Sequence, residues 1–281
     1  MQLKQGITFH SGLADIASQL TINEGTMKAG KATGLPYFPN STIPKTKWRN
    51  LDNSEAKLLV SQKPFNDFTR NIYIGEMPAA LKKSLIKLGL QNCTDMDQVM
   101  PAVQKKEKEV KAVSKKLHTF LKPFSSTGKY KFHRITRAMP GWATVTRLFI
   151  KEQEKLGFIG LHIDQSRPFT PYTAFKSDNR ISVNLSKETR YLALINLTLI
   201  QVVNMIKERS GLPYEKINAQ NITTLFFKYF PDYPAVKLAI KPYQYYIAPT
   251  DNFLHDASTL GNRELDVTFV YVGMFDMPNK N

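Results

Sequence analysis

Six short runs rich in β-branched and aromatic residues follow Pro140-Gly141, and they constrain the fold more than any other feature. They are WATVTRLFI (142–150), GFIGLHI (157–163), NRISVNLS (179–186), RYLALINL (190–197), YQYYIAP (243–249) and LDVTFVYVGMF (265–275). Alternation and composition predict strands for all of them. One helix interrupts the series, TLIQVVNMIKERSG ended by Gly211, and INAQNITTLFFKYF reads as a second. Six or more strands with few βαβ intervals predict an antiparallel barrel or a double-sheet jelly roll. The expected class is therefore α+β, mainly β, with helices packed outside the barrel.

The first half reads differently. Residues 1–75 mix Gly, Pro, Asn and Lys with short apolar runs, which suggests strands or turns separated by loops. Residues 77–125 read as helical, with Thr94 or Asp95 able to cap the second helix. The expected organisation is a helix-containing region over 1–130, packed on a jelly-roll core over 131–281, in one compact unit.

Charge is concentrated. The chain carries 39 basic and 23 acidic residues, a formal charge of +16. Residues 77–131 hold 12 Lys and 4 Asp or Glu, half of that excess in about a fifth of the chain. Within this segment Val99, Val103, Val110, Val113, Leu117 and Leu121 recur at roughly helical spacing, with Lys between them. Two readings follow: a surface helix with a solvated basic face, or a docking face for a phosphate-bearing or acidic partner. Few aromatics interleave with these lysines, so base stacking is not indicated there. The single cysteine, Cys93, rules out an internal disulfide, and the N-terminus lacks a charged-then-apolar signal pattern. A cytoplasmic location is expected. The longest apolar stretch, 191–203, is interrupted by Asn196, Thr198 and Gln201 and is too short to span a bilayer, so no membrane partner is expected.

Chemistry enters at GLHIDQSRP (160–168). His162 and Asp164 lie two apart, and residues i and i+2 of an extended segment point to the same side. His255 follows a strand and the turn Pro249-Thr250-Asp251, and Arg263 precedes the last strand. An early and a late strand of a jelly roll can lie side by side, so His162, Asp164 and His255 would offer two imidazoles and one carboxylate to one metal. Such a set on one face of an octahedral ion leaves three positions open, the facial triad of non-haem Fe(II) oxygenases. A structural zinc site would be filled by Cys or His, and one cysteine excludes a thiolate-rich site.

HxD, a His about 90 residues on, then an Arg heading the last strand resembles the Fe(II)/2-oxoglutarate-dependent dioxygenases, over roughly residues 130–275. The resemblance implies a double-stranded β-helix, a cupin-like barrel, with Fe(II) held by His162, Asp164 and His255. It implies 2-oxoglutarate and dioxygen as co-substrates, the far carboxylate of the former clamped by a basic side chain. Arg263 is the first candidate for that clamp, since a planar guanidinium binds a carboxylate bidentately. Its interval of eight residues after His255 is shorter than the ten or more common in the family. Arg180 is the alternative, on a strand where Arg180, Ser182 and Asn184 share one face, either lining the site or facing solvent. Arg167 and Tyr172, in the loop after HxD, are candidates for substrate contact. Thr250, Asp251 and Asn252 read either as supports for His255 or as a plain turn. His10, His118 and His133 have no partners at useful spacing, and Trp48 and Trp142 read as core.

The resemblance implies hydroxylation of a C–H bond. A halogenating relative would carry a small residue in place of Asp164; desaturation and cyclisation stay open. The expected substrate is a small metabolite, an amino acid or a biosynthetic intermediate, and the basic balance favours an anionic one. Nucleic-acid demethylation in the same superfamily is the enzymatic alternative. A non-catalytic basic binding module on a cupin-like barrel is the alternative of another class.

Overall fold

A computed structural model describes residues 1–13, 15–30, 34–63, 65–151 and 154–276. The strands are β1 (Thr8–Ser11), β2 (Leu20–Ile22), β3 (Thr26–Lys28), β4 (Tyr37–Pro44), β5 (Arg49–Asn50), β6 (Asn71–Glu76), β7 (Tyr130–Ala138), β8 (Arg147–Ile150), β9 (Lys155–Gly160), β10 (Asn179–Asn184), β11 (Arg190–Leu194), β12 (Val236–Ile240), β13 (Gln244–Ala248), β14 (His255–Ser258) and β15 (Asp266–Gly273). The helices are α1 (Asn53–Leu59), α2 (Ala79–Lys87), α3 (Met96–Lys105), α4 (Glu107–Leu121), α5 (Leu199–Ser210) and α6 (Ile222–Tyr229). Three sheets result, ordered β1-β6-β13-β10-β15-β7, β14-β11-β12-β2-β5 and β3-β4-β9-β8.

Strand alternation decides what each face buries. On β10, β13 and β15 one set of side chains, including Ile181, Val183, Tyr245, Ile247, Phe269 and Tyr271, packs with Leu81, Leu85, Val113 and Leu117 of α2 and α4. The opposite faces turn toward the five-stranded sheet. Tyr246 and Ala248 of β13 share a cluster there with Leu192 and Leu194 of β11 and Leu238 of β12. A third cluster joins Ala193 and Ile195 to Val202, Ile206 and Phe226 of α5 and α6. The chain is thus a β-rich α+β fold with two facing sheets, each covered on its outer side by helices. Among the described residues no helix is long and apolar enough to cross a membrane.

The expected boundary near residue 130 does not separate the sheets. β1 pairs with β6, β6 with β13 and β2 with β12, so strands from residues 8–76 complete both facing sheets. Only the helical stretch after them packs on the outside. The basic amphipathic segment is also two helices rather than one. Lys106 leaves helical geometry at φ −120° and ψ 39°, where Lys105-Lys106-Glu107 offers the apolar row nothing to bury. Asp95 caps α3 by accepting from the Asp97 amide at 2.8 Å. Gly211 ends α5 at φ 70°, a conformation glycine adopts without Cβ strain.

Two local features shape the space between the sheets. The first is a β-bulge in β7: Arg134 opposes Val270 and Phe132 opposes Tyr271, leaving His133 as the extra residue. Even-numbered side chains therefore change face at this point. Phe132 meets Phe269 and Tyr271 edge-on on the helix side, while Arg134 and Thr136 turn inward. The second is fully buried Asn184. Its amide donates to the Glu188 and Ile240 carbonyls at 2.9 and 2.8 Å, and its oxygen accepts from the Ser186 amide at 2.8 Å. It pins the β10–β11 turn to the end of β12. Asn184→Ala strands these buried groups and is expected to lower stability by about 2–4 kcal/mol. A lower denaturation midpoint at unchanged m-value would register that loss.

Candidate metal centre

The two histidines are brought together by backbone, residue against residue. β9 ends at Gly160, whose φ is 71° and where a Cβ would lie 2.4 Å from the Thr42 carbonyl oxygen. Glycine thus permits a close turn against β4. Beyond it the chain stays extended. The His162 amide donates to the His255 carbonyl at 3.0 Å, and the His255 amide returns a bond to His162 at 2.8 Å. Residues that exchange both bonds stand directly opposite each other, and the imidazole centroids lie 5.0 Å apart. Farther along the same segment, Asp164 donates its amide to the Thr250 carbonyl at 3.2 Å. The i, i+2 relation then puts its carboxylate on the same side as His162.

Each imidazole is oriented alike. His162 Nδ1 lies 2.9 Å from the Gly160 carbonyl and His255 Nδ1 lies 3.2 Å from the Phe253 carbonyl. A carbonyl only accepts, so Nδ1 carries the hydrogen of the neutral ring and Nε2 keeps a free lone pair. Both Nε2 atoms face Asp164, that of His162 at 3.7 Å from Oδ1 and that of His255 at 3.4 Å from Oδ2. These separations are long for hydrogen bonds. The ligand atoms of the three residues all lie within 4.8 Å of one another, and two imidazole nitrogens with one carboxylate form a donor set suited to Fe(II).

Surrounding groups hold this set. Arg180 Nη1 sits 2.8 Å from Asp164 Oδ2. Burial alone would raise the Asp164 carboxyl, but His162, His255 and Arg180 together hold it well below the usual carboxylate range. Burial would lower His162; Asp164 and Asp256 outweigh it and raise the imidazole above its ordinary value. Asp256 is pushed up by burial, opposed by His162 and by Thr146, whose hydroxyl donates to it at 2.8 Å. Asp251 accepts from the Ser166 amide and hydroxyl, both at 3.0 Å, and from the Ser177 hydroxyl. It thereby ties the loop after Asp164 to the turn before His255.

The cavity beside the three donors is lined by Arg134, Thr136, Arg180, Ser182, Arg190 and Tyr246, among others. Arg180 Nε, Arg190 Nε, Thr136 Oγ1 and Thr250 Oγ1 are buried polar atoms without a partner here. Unsatisfied buried donors are costly, and four of them around one cavity favour a polar, anionic occupant.

Four expected site residues lie elsewhere. Arg263 is exposed in the turn between β14 and β15, where its backbone amide donates to Glu188 Oε2 at 2.8 Å. The turn aims its side chain outward, so it cannot clamp a ligand in this cavity. Asn184 shares the strand face of Arg180 but serves the turn described above. Arg167 is held by the Lys176 carbonyl with Asp178 at 3.8 Å, in an exposed loop. Tyr172 donates to the Tyr214 carbonyl at 2.8 Å and packs beside Tyr214, among residues of the α5–α6 cluster. Arg180 does line the cavity, and its strand face looks inward rather than to solvent. Sequence reasoning missed Arg134, Arg190 and Asp256. Arg190 had a signal, a charge opening the apolar run RYLALINL, just as Arg180 opens NRISVNLS.

No protein-family model and no curated protein matches this chain. Solved structures with some likeness are those of the Kdo hydroxylase KdoO, a non-heme Fe(II) alphaketoglutarate dependent dioxygenase, in its apo form and in complex with alphaketoglutarate and Fe(III). Identity is 12% and the TM-score 0.36, over 72% of this chain and 79% of that one.

Only a neutral imidazole coordinates, so a divalent ion at these donors competes with protons, and the upward shift of His162 extends that competition to higher pH. Cobalt(II) affinity measured by calorimetry is therefore expected to fall with falling pH, by about tenfold per unit for each imidazole that has become protonated. Asp164 stays ionised throughout that range and adds nothing to the slope.

Proposed function

We propose that the chain is an Fe(II)- and 2-oxoglutarate-dependent oxygenase that hydroxylates a C–H bond of a small metabolite, on sheets that we read as a double-stranded β-helix. The observation that carries this reading is the convergence of His162 Nε2, His255 Nε2 and the Asp164 carboxylate beside a cavity with unpaired arginine donors. His162, Asp164 and His255 would hold the iron. A structural metal would have its shell closed by protein, and here the cavity adjoins the donors instead.

The second carboxylate of 2-oxoglutarate needs a cation away from the metal. Arg180 touches the ligating carboxylate of Asp164 itself, so it is committed beside the metal. Arg190 is 5% exposed, bonded to the Thr268 hydroxyl and 3.2 Å from Asp266 Oδ2, and its Nε is unpaired. Thr136, with its own unpaired hydroxyl, lines the same cavity. We assign Arg190 as the clamp in place of Arg263, with Thr136 as a further donor. Bound iron and 2-oxoglutarate supply the activation of dioxygen and the oxidising equivalents. The protein's residues do the rest. Arg180 fixes the Asp164 carboxylate by a charge-assisted bond. The Gly160 and Phe253 carbonyls hold both rings in one tautomer, which keeps the lone pairs aimed at one point. Asp251 anchors the loop that follows Asp164, limiting the motion of the ligand it adjoins.

The test is anaerobic. Fe(II) and 2-oxoglutarate added to the protein are expected to give the visible charge-transfer band of the chelate. That band is expected to vanish in His255→Ala. In Arg190→Ala it should be lost at low 2-oxoglutarate and return at high concentration, while Arg263→Ala should match the parent. Absence of the band from the parent protein would overturn the reading.

A further inference from the structure

The cavity carries one more cation than this chemistry uses. Arg190 is paired with Asp266 and Arg180 with Asp164. Arg134 lines the same cavity, yet it makes no hydrogen bond or ion pair with the described residues. It stands on the edge strand of its sheet, exposed at the cavity mouth, while Arg190 lies buried.

Its direction is set by the bulge. With His133 as the extra residue, Arg134 opposes Val270 and faces inward, whereas Phe132 faces the helices. In register, Arg134, Val270, Ser182 and Tyr246 form one row across β7, β15, β10 and β13. That row runs from the mouth along the cavity, next to the row that carries Arg180. Although the residue as a whole is exposed, partial burial of its guanidinium and the Arg180 charge both push that group down, only partly offset by Asp164. Two guanidiniums converging on one space with one shared carboxylate are unfavourable when the space is empty and favourable when an anion enters it.

We propose that Arg134 binds an oxyanion of the substrate, a carboxylate or a phosphate, at the mouth of the cavity, with Arg180 as the second positive charge. This rests on the oxygenase reading for what happens to the substrate, and names its chemical class. The anion sits at the edge-strand end, and the rest of the molecule extends along Val270 and Ser182 toward the three metal donors. A small anionic metabolite matches this arrangement in charge, and the planar guanidinium offers it two parallel bonds.

The experiment uses the full chain loaded with cobalt(II) and saturating 2-oxoglutarate, so that no turnover occurs. Acetate and sulfate are titrated by calorimetry as probes for a carboxylate and for a tetrahedral oxyanion. At least one is expected to bind, and Arg134→Gln is expected to weaken it by about tenfold or more, the scale of a lost charge-assisted bond. Arg134→Lys, which keeps the charge without the fork, should lose less. The dissociation constant for 2-oxoglutarate should move by less than about twofold, since charges at the rim act weakly on a buried partner. Tighter acetate would indicate a carboxylate substrate, and tighter sulfate a phosphate or sulfate ester. Binding of neither probe, equal binding in Arg134→Gln, or loss of 2-oxoglutarate affinity in that variant would each overturn the proposal. A chain that takes up neither cobalt(II) nor 2-oxoglutarate would sink the oxygenase reading alone. The same titrations on the metal-free chain would then still decide whether Arg134 binds an oxyanion.

Discussion

The reciprocal pair of backbone hydrogen bonds between His162 and His255 is the contact on which the site depends. It is a single rung of antiparallel pairing between the extended segment after β9 and the first residue of β14, and it converts a separation of more than 90 residues in sequence into direct opposition. Side chains could not achieve this as reliably. Rotamers of two imidazoles meeting across a loop would be free to diverge, whereas exchanged amide bonds fix both Cα positions at once. The tight turn at Gly160 and the Asp251 contacts to Ser166 and Ser177 serve that rung by fixing the chain on either side of it.

Around it the protein tolerates a costly set of buried charges. Asp266, Asp256 and Asp164 lie between the sheets, where desolvation opposes each of them, and Arg190 is buried beside them. Pairing compensates in part, Arg190 with Asp266 and Arg180 with Asp164. The apolar end of the same interlayer space, with Leu192, Leu238 and Ile74, offsets that cost by ordinary burial. One pair of sheets is therefore divided into an apolar part that stabilises and a polar part that holds buried charge.

Local geometry in this chain was legible from residues alone. The alternation in NRISVNLS puts Ile181 and Val183 in the helix-side core and Arg180 and Ser182 in the cavity. The side shared by His162 and Asp164 follows from spacing. What was not legible depends on partners distant in sequence. Arg263 reads as the head of the last strand, but the strand begins at Asp266 and leaves it in a solvent-facing turn. Arg190 reads as a strand end, and only the pairing of β11 with β12 and β14 carries it into the interior. The strands of residues 8–76 are short and interrupted by Gly and Pro, so their membership of both large sheets is set by tertiary pairing rather than by pattern. The inward aim of Arg134 depends on a bulge, which no alternation rule anticipates.

That bulge has a further meaning for how such a chain can change. Because β7 takes up a single extra residue at His133, the odd–even pattern of the chain before it is uncoupled from the pattern after it. Loss of His133 would restore regular pairing, with Phe132 still opposite Tyr271 and Arg134 still opposite Val270, and both side chains would keep their faces. The edge strand can therefore take up or give back one residue here while the cavity wall keeps its guanidinium, which makes this the place where the scaffold absorbs a change of length without repacking either face.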